Sequence, residues 1–314
     1  MQNLVFSISL VAPVFLIVAL GYLLKKLGTI NDGFVTISSK IVFNISLPAL
    51  IFLEISSIDL GDILNIDLVL FVYVGTLISF GIAWFAASLS SDSGGDKASF
   101  IQGSFRGNFA IIGLAIISNF YGTESLGKAA IVLAFTIPLY NVLSVIALTV
   151  PLRKEKNFNY KKILFEIVRN PLIIGVLSAV AFSYFKIKIP DILIVTGDYL
   201  AAISLPLALI GIGGFLSFSD LTKDSLLTVV PTILKLIIFP AGTTLAAYLM
   251  NYNNMDLGII FILFSCPTAI ASFVMAEAMG ANSRLAGNIL LLTTLASVVT
   301  MTIGLFILRE NGLI

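Results

Sequence analysis

Polar residues in this chain are confined to short interruptions of an otherwise almost continuously apolar pattern. Between the interruptions run ten apolar stretches, at residues 4–26, 34–55, 66–90, 97–119, 126–150, 163–185, 192–217, 225–249, 256–279 and 285–308. Each has the ~20 residues that an α-helix needs to cross a hydrocarbon core. The first follows no basic leader in MQNLVF and is too long for the core of a cleaved signal, so it reads as a permanent span. The longest polar connection, LRKEKNFNYKK at 152–162, falls at the midpoint and divides a first unit (1–151) from a second (163–314), five spans in each. The pattern predicts an all-α integral membrane protein of ten transmembrane helices.

The two units resemble one another. Ile-Ser-Leu-Pro occurs twice, ending at Pro48 in span two and at Pro206 in span seven, 158 residues apart. Pro13 in span one and Pro171 in span six keep the same offset, and FRGNFAIIG (105–113) in span four falls on FSCPTAIAS (264–272) in span nine after a shift of one more residue. Because five is odd, the second copy starts on the opposite face of the membrane, so the repeats are inverted. Inverted repeats characterise many secondary transporters, whose site lies at the bilayer midplane where discontinuous helices meet. Spans four and nine carry helix breakers in matching places, Gly107-Asn108 and Cys266-Pro267, each ~10 residues or roughly 15 Å into its span. Proline removes a backbone donor and glycine weakens a helix, and unwound backbone at that depth must be buried in protein or line a wet cavity. Two half-helix N-termini there would favour an anionic group. The plainer alternative is that the prolines only kink continuous helices.

Composition fits this picture and narrows the chemistry. Hydrophobic residues make up 58% and charged residues 11%, against about 25% charged in soluble domains, and the mean hydropathy is +1.07. The net charge of +1 gives no basic excess for nucleic acid. One cysteine and no histidine exclude disulfide frameworks, multi-cysteine zinc sites and histidine-activated nucleophiles within one chain. No catalytic residue, cofactor or metal is expected. Lys25, Lys26 and Lys40 flank the first connection, and Arg153, Lys154, Lys156, Lys161, Lys162 and Arg169 the central one, whereas the second connection has Asp59, Asp62 and Asp67 and no base. By the positive-inside rule the central loop is cytoplasmic and both termini are outside.

The candidate binding residues cluster at the breaks. Asn108 offers donors and acceptors to a substrate, or caps a half-helix. Thr268 and Pro267 are its counterparts in span nine. Cys266 beside them is a candidate by position, although a lone cysteine in an apolar span is more often a packing residue. Asn141, midway along span five, either reaches the crossing or bonds a neighbouring helix. Two charges lie inside spans, where they are costly. Arg106 would balance an anionic substrate or snorkel to the cytoplasmic face; Lys235, some ten residues into span eight, would form a structural pair or balance substrate charge. Glu277 reads as a solvated helix end or a cation site. GTESLGKA (122–129) fits the start of a phosphate loop but lacks the following Ser/Thr and joins two spans. The Gly103/Gly107 pair is a helix-packing signal of low specificity.

Five segments, KIVFNISLPALIF (40–52), RGNFAIIGLAI (106–116), IPLYNVLSV (137–145), VVPTILKLIIFP (229–240) and CPTAIASFVMAEAMG (266–280), resemble the bacterial branch of the auxin efflux carrier family, related to the plant PIN proteins. The resemblance runs in order over nearly the whole chain. It implies a fold like that of sodium/proton antiporters, with crossing broken helices four and nine in a transport domain (spans 3–5 and 8–10). Spans 1, 2, 6 and 7 would form a scaffold, here built around Pro48 and Pro206, that dimerises and past which the transport domain moves as an elevator. It implies a small organic anion as substrate. The central loop of ~10 residues departs from the long PIN loop, and Gly107-Asn108 stands where PIN proteins have proline. The expectation is a secondary transporter of an organic anion, by resemblance a small carboxylate, in the cytoplasmic membrane. An intramembrane aspartyl protease would need two facing carboxylates within spans, and Asp198 has no evident partner. A passive anion channel is the other alternative.

Overall fold

A helix satisfies its own backbone inside hydrocarbon, and every regular element among the described residues is helical. The computed structural model describes residues 2–56, 65–122, 125–152, 169, 171–216 and 225–314. The basic central loop beyond Leu152, the start of span six, Asp59 and Asp62, part of GTESLGKA and the Glu277 side chain lie outside the described residues.

Span one is α1 (Gln2–Lys26). Span two comprises α2 (Asp32–Ile41), a π-helical turn (Val42–Ser46) and α3 (Leu47–Ser56). Span three is α4 (Ile66–Ser90). Span four is α5 (Gly94–Phe105), then a π-helical turn (Phe109–Gly113) and α6 (Leu114–Tyr121). Span five is α7 (Leu126–Thr149), and the described part of span six is α8 (Pro171–Tyr184). Span seven bends at Ile203 between α9 (Asp191–Ala202) and α10 (Ser204–Phe215). Span eight comprises α11 (Ser225–Ile233), a π-helical turn (Leu234–Ile238) and α12 (Phe239–Leu249). Span nine is α13 (Asn254–Ser265) and α14 (Ile270–Met279), and span ten is α15 (Ser283–Glu310).

Among the described residues, six helical stretches are long and apolar enough to cross a membrane. Spans four and nine are not among them, because each is interrupted and its halves are short, the longest running from Phe109 to Tyr121. The π turns in spans two and eight end just before Leu47-Pro48 and Phe239-Pro240. Proline cannot donate to the carbonyl four residues back, and a wider turn accommodates the loss.

Two sets of contacts stand out, and the packing of α1 along α15 joins them. In one, α1 lies on α10 and α3 lies on α8. An added Cβ at Gly213 would fall on the Val18 carbonyl oxygen, so α1 and α10 touch backbone to backbone. Pro48 sits in the α3–α8 contact, against Gly175. Pro206 and Pro13 line a cavity of about 350 Å³ shared with Asp198 and with Ser118 of α6. In the other group α4 packs on α5, α12 on α13, and α15 on α11, α14 and α5.

Asparagine and serine caps start four helices of the second group. Asn65, Ser93, Asn253 and Asn282 accept from backbone N–H groups of α4, α5, α13 and α15, each satisfying a donor the helix geometry leaves free. The caps also tie the helices together. Asp96 of α5 accepts from Asn282 Nδ2 (2.7 Å). Asp256 of α13, 1% exposed, accepts from Asn65 Nδ2 (3.1 Å) and Asn253 Nδ2 (2.6 Å) and is ion-paired with Lys128 of α7. The outer surface is apolar, with Leu70, Phe85, Ile192, Tyr199 and Leu249 each more than half exposed. Such a belt fits hydrocarbon better than water.

Candidate functional site

The site is built where spans four and nine break. Helix α5 stops at Phe105, and Arg106 turns to extended backbone (φ −83°, ψ 107°). Helix α13 stops at Ser265, and Cys266 does the same (φ −55°, ψ 138°) before Pro267, which cannot supply the next helical donor. The two interruptions run antiparallel and pair through backbone. Asn108 N–H donates to the Pro267 carbonyl (2.8 Å), and Ala269 N–H donates to the Arg106 carbonyl (3.1 Å).

The polar groups freed by unwinding find partners in the crossing itself. The Gly103 carbonyl, near the end of α5, accepts from Thr268 Oγ1 (2.6 Å). Thr268 N–H donates to Thr293 Oγ1 of α15 (3.1 Å). Lys235 is fully buried and donates from Nζ to the Phe264 carbonyl (3.0 Å) in the last turn of α13, where a cation complements the negative helix end. The ammonium presses against Gly107, where an added Cβ would lie 2.9 Å from Nζ and 3.3 Å from the Leu263 carbonyl oxygen. Any larger residue at 107 would have to displace the Lys235 ammonium.

Beside the crossing lies a cavity of about 370 Å³. One wall is the crossing: Arg106, Gly107, Asn108 and the helix starts at Ala110–Ile111 and Ala269–Ala271. First-turn N–H groups have no intrahelical acceptor, so both helix starts present donors and positive dipole ends. Val42, Phe43 and Leu47 of span two and Ala208 of span seven form the facing wall, and α7 closes it with Leu133, Ile137, Tyr140 and Asn141.

Asn108 is 7% exposed, and its side chain makes no capping hydrogen bond. The capping alternative is thus not realised, and its amide is left to the cavity. Arg106 does not snorkel. Its guanidinium crosses to α7, donating to Asn141 Oδ1 (2.9 Å) and Ser144 Oγ (3.1 Å), and contacts Met275 Sδ (3.0 Å). All three partners are neutral. Among the described residues no carboxylate is paired with Arg106. Asn141 thus lines the cavity and also holds Arg106 in place.

Cys266, Pro267, Thr268 and Lys235 do not line this cavity; they hold the crossing together. Cys266 is a buried free thiol. Ala269, Ile270 and Ala271 take the places in the lining that the sequence suggests for Cys266–Thr268. Tyr140 is the residue sequence reasoning missed. It is 4% exposed, packs edge-on against Phe105 with centroids 5.8 Å apart, and lines the cavity beside Arg106 and Gly107. Only its place next to Asn141 in PLYNV could have marked it.

Residues 6–305 match the family model described as membrane transport protein. The chain is 25% identical over 307 residues to an uncharacterized transporter of Methanocaldococcus jannaschii, covering 94% of this chain and 96% of that protein. It is 22% identical over 297 residues to another from Methanothermobacter thermautotrophicus, with coverage of 94% and 96%. A Rhizobium meliloti protein provisionally named a malonate transporter is 26% identical over 314 residues, with coverage of 97% and 96%.

Proposed function

This chain belongs to the membrane transport protein family, that of the auxin efflux carriers, and on that premise we propose that it is a secondary carrier of a small organic anion. The observation that carries the reading is the cavity at the crossing, where the unpaired Arg106 guanidinium, the uncommitted Asn108 amide and two helix starts meet. A carboxylate complements all three, by charge, by hydrogen bonding and by the helix dipoles. The aliphatic facing wall accepts its carbon skeleton. The relative named for malonate is in keeping with a carboxylate substrate.

The mechanism we propose is alternating access. The group containing α4–α7 and α11–α15 carries the anion past a scaffold of α1–α3 and α8–α10, around Pro48 and Pro206. The reciprocal packing of span one on seven and span six on two supports reading the ten spans as two inverted five-helix repeats, an arrangement that gives inward- and outward-open states similar energy. In this reading both termini are outside the cytoplasmic membrane. The scaffold dimerises through surfaces such as α9, on which no residue is buried. Membrane potential acts at about 2.3 kcal/mol per charge per 100 mV, so export of an anion needs no coupling ion.

The test is electrical. Proteoliposomes on a solid-supported membrane are challenged with malonate and a series of monocarboxylates. Transient currents that saturate with an anion, and are lost in Arg106→Gln, are expected. Folded protein that gives neither currents nor counterflow with any of them overturns the reading.

A further inference from the structure

A larger cavity, about 930 Å³, lies away from the crossing, between α4 and α12. Its walls are Leu70, Val74, Ile78 and Ile82, at every fourth position of α4, and Ile238 and Met250 across from them, all 41–62% exposed. The groove is deep where side chains are missing. Gly75 lies directly over the Phe264 ring, and an added Cβ at Gly242 would meet nothing within 4 Å. Leu70 to Ile82 is twelve steps of a helix, or about 18 Å. One leaflet of hydrocarbon is about 15 Å deep, half of the ~30 Å core. The apolar stripe therefore runs the depth of a leaflet.

One end of the groove is polar, with Asn65, Asp67, Asn251, Tyr252, Asn253 and Asp256. Asp256 is already satisfied by Lys128 and the two asparagines. Tyr252 donates its hydroxyl to the Asp67 backbone carbonyl (2.9 Å), which holds this end closed around the start of α4. The exposed Asp67 carboxylate has no ion-pair partner among the described residues, and no lining residue is basic.

We propose that this groove is a binding site for an aminophospholipid, one acyl chain along α4 and the headgroup ammonium at Asp67. Around a membrane-embedded groove the available apolar matter is lipid chain, and filling it removes exposed aliphatic surface from voids. The charge at the mouth then selects the headgroup. A primary ammonium donates hydrogen bonds to the carboxylate, a choline ammonium cannot, and an anionic glycerol phosphate is repelled.

The chain has one tryptophan, Trp84, so a reporter is easily placed. Trp84→Phe combined with Ile78→Trp puts a single fluorophore in the groove wall; Val74→Trp, one turn along, serves if that variant does not fold. The protein is reconstituted in dioleoylphosphatidylcholine containing rising fractions of brominated phosphatidylcholine, brominated phosphatidylethanolamine or brominated phosphatidylglycerol, and quenching gives the relative binding constants. Phosphatidylethanolamine is expected to bind roughly 1.5- to 5-fold better than phosphatidylcholine, the range of an exposed ion pair, and Asp67→Asn is expected to abolish the preference. Equal quenching by all three lipids, or a preference for phosphatidylglycerol, overturns the proposal. So does absence of quenching by any lipid, which would mean that protein, such as a second copy of the chain, covers the groove.

Discussion

Replacing Asn108 by alanine separates a binding role from a structural one. Among the described residues the Asn108 side chain has no hydrogen-bond partner, and it lines the cavity, while the backbone bond from its N–H to Pro267 survives the substitution. No intramolecular side-chain interaction is lost, so the thermal midpoint of Asn108→Ala should match that of the parent. An asparagine that capped the helix would instead cost about 0.5–2 kcal/mol. A hydrogen bond to a charged partner contributes about 1.5–3 kcal/mol, and each 1.4 kcal/mol is tenfold in affinity. The half-saturating concentration of the transported anion should thus rise roughly 10- to 150-fold. Concentration series of transient currents, run beside thermal unfolding in the same detergent, read both quantities. A lowered midpoint with unchanged half-saturation would refute the reasoning.

Other substitutions probe the framework around the cavity. Thr268→Val keeps shape but leaves the buried Gly103 carbonyl without its 2.6 Å donor, and should destabilise by about 1–3 kcal/mol, with Thr268→Ser largely retaining the midpoint. Gly107→Ala pushes a Cβ toward the Lys235 ammonium, so its thermal cost should shrink in a Lys235→Met background, a coupling that a double-mutant cycle measures. Asp256→Ala should lower the midpoint more than Lys128→Ala, because the carboxylate also serves Asn65 and Asn253, whereas the Lys128 side chain, 18% exposed, retains access to solvent. Gly213→Ala should abolish folded protein by forcing α1 off α10, while Gly242→Ala, with open space at its Cβ, should leave the midpoint unchanged or raised.

The breaks were legible because Gly107 and Pro267 violate helix chemistry locally, in the middle of apolar runs where nothing else explains them. Their antiparallel pairing was legible only as far as the matched positions implied it. What the side chains do there was not. Thr268 and Asn108 both lie in the breaks, yet the Thr268 hydroxyl is committed to Gly103 while the Asn108 amide caps no helix and is left to the cavity. That difference depends on which carbonyl lies opposite, a tertiary fact. Arg106 read equally as snorkelling or site-facing, because its direction is set by Asn141 and Ser144, more than 30 residues away. Lys235 stood out as a costly charge, but its partner is a backbone carbonyl, invisible to any search for an acidic residue. Tyr140 was hidden for the opposite reason, since an aromatic in an apolar span looks like packing and only the structure reveals that it lines the cavity.

Trans-stimulated exchange most directly tests the central claim that this chain carries an anion through a site that faces one side at a time. Proteoliposomes are loaded with a carboxylate that gives saturable currents, and uptake of the labelled anion is followed from outside. An alternating-access carrier should show uptake that overshoots equilibrium and is accelerated by internal unlabelled anion, both effects being lost in Arg106→Gln. Uptake that is linear in concentration and indifferent to internal anion would contradict the account and leave a passive pore in its place.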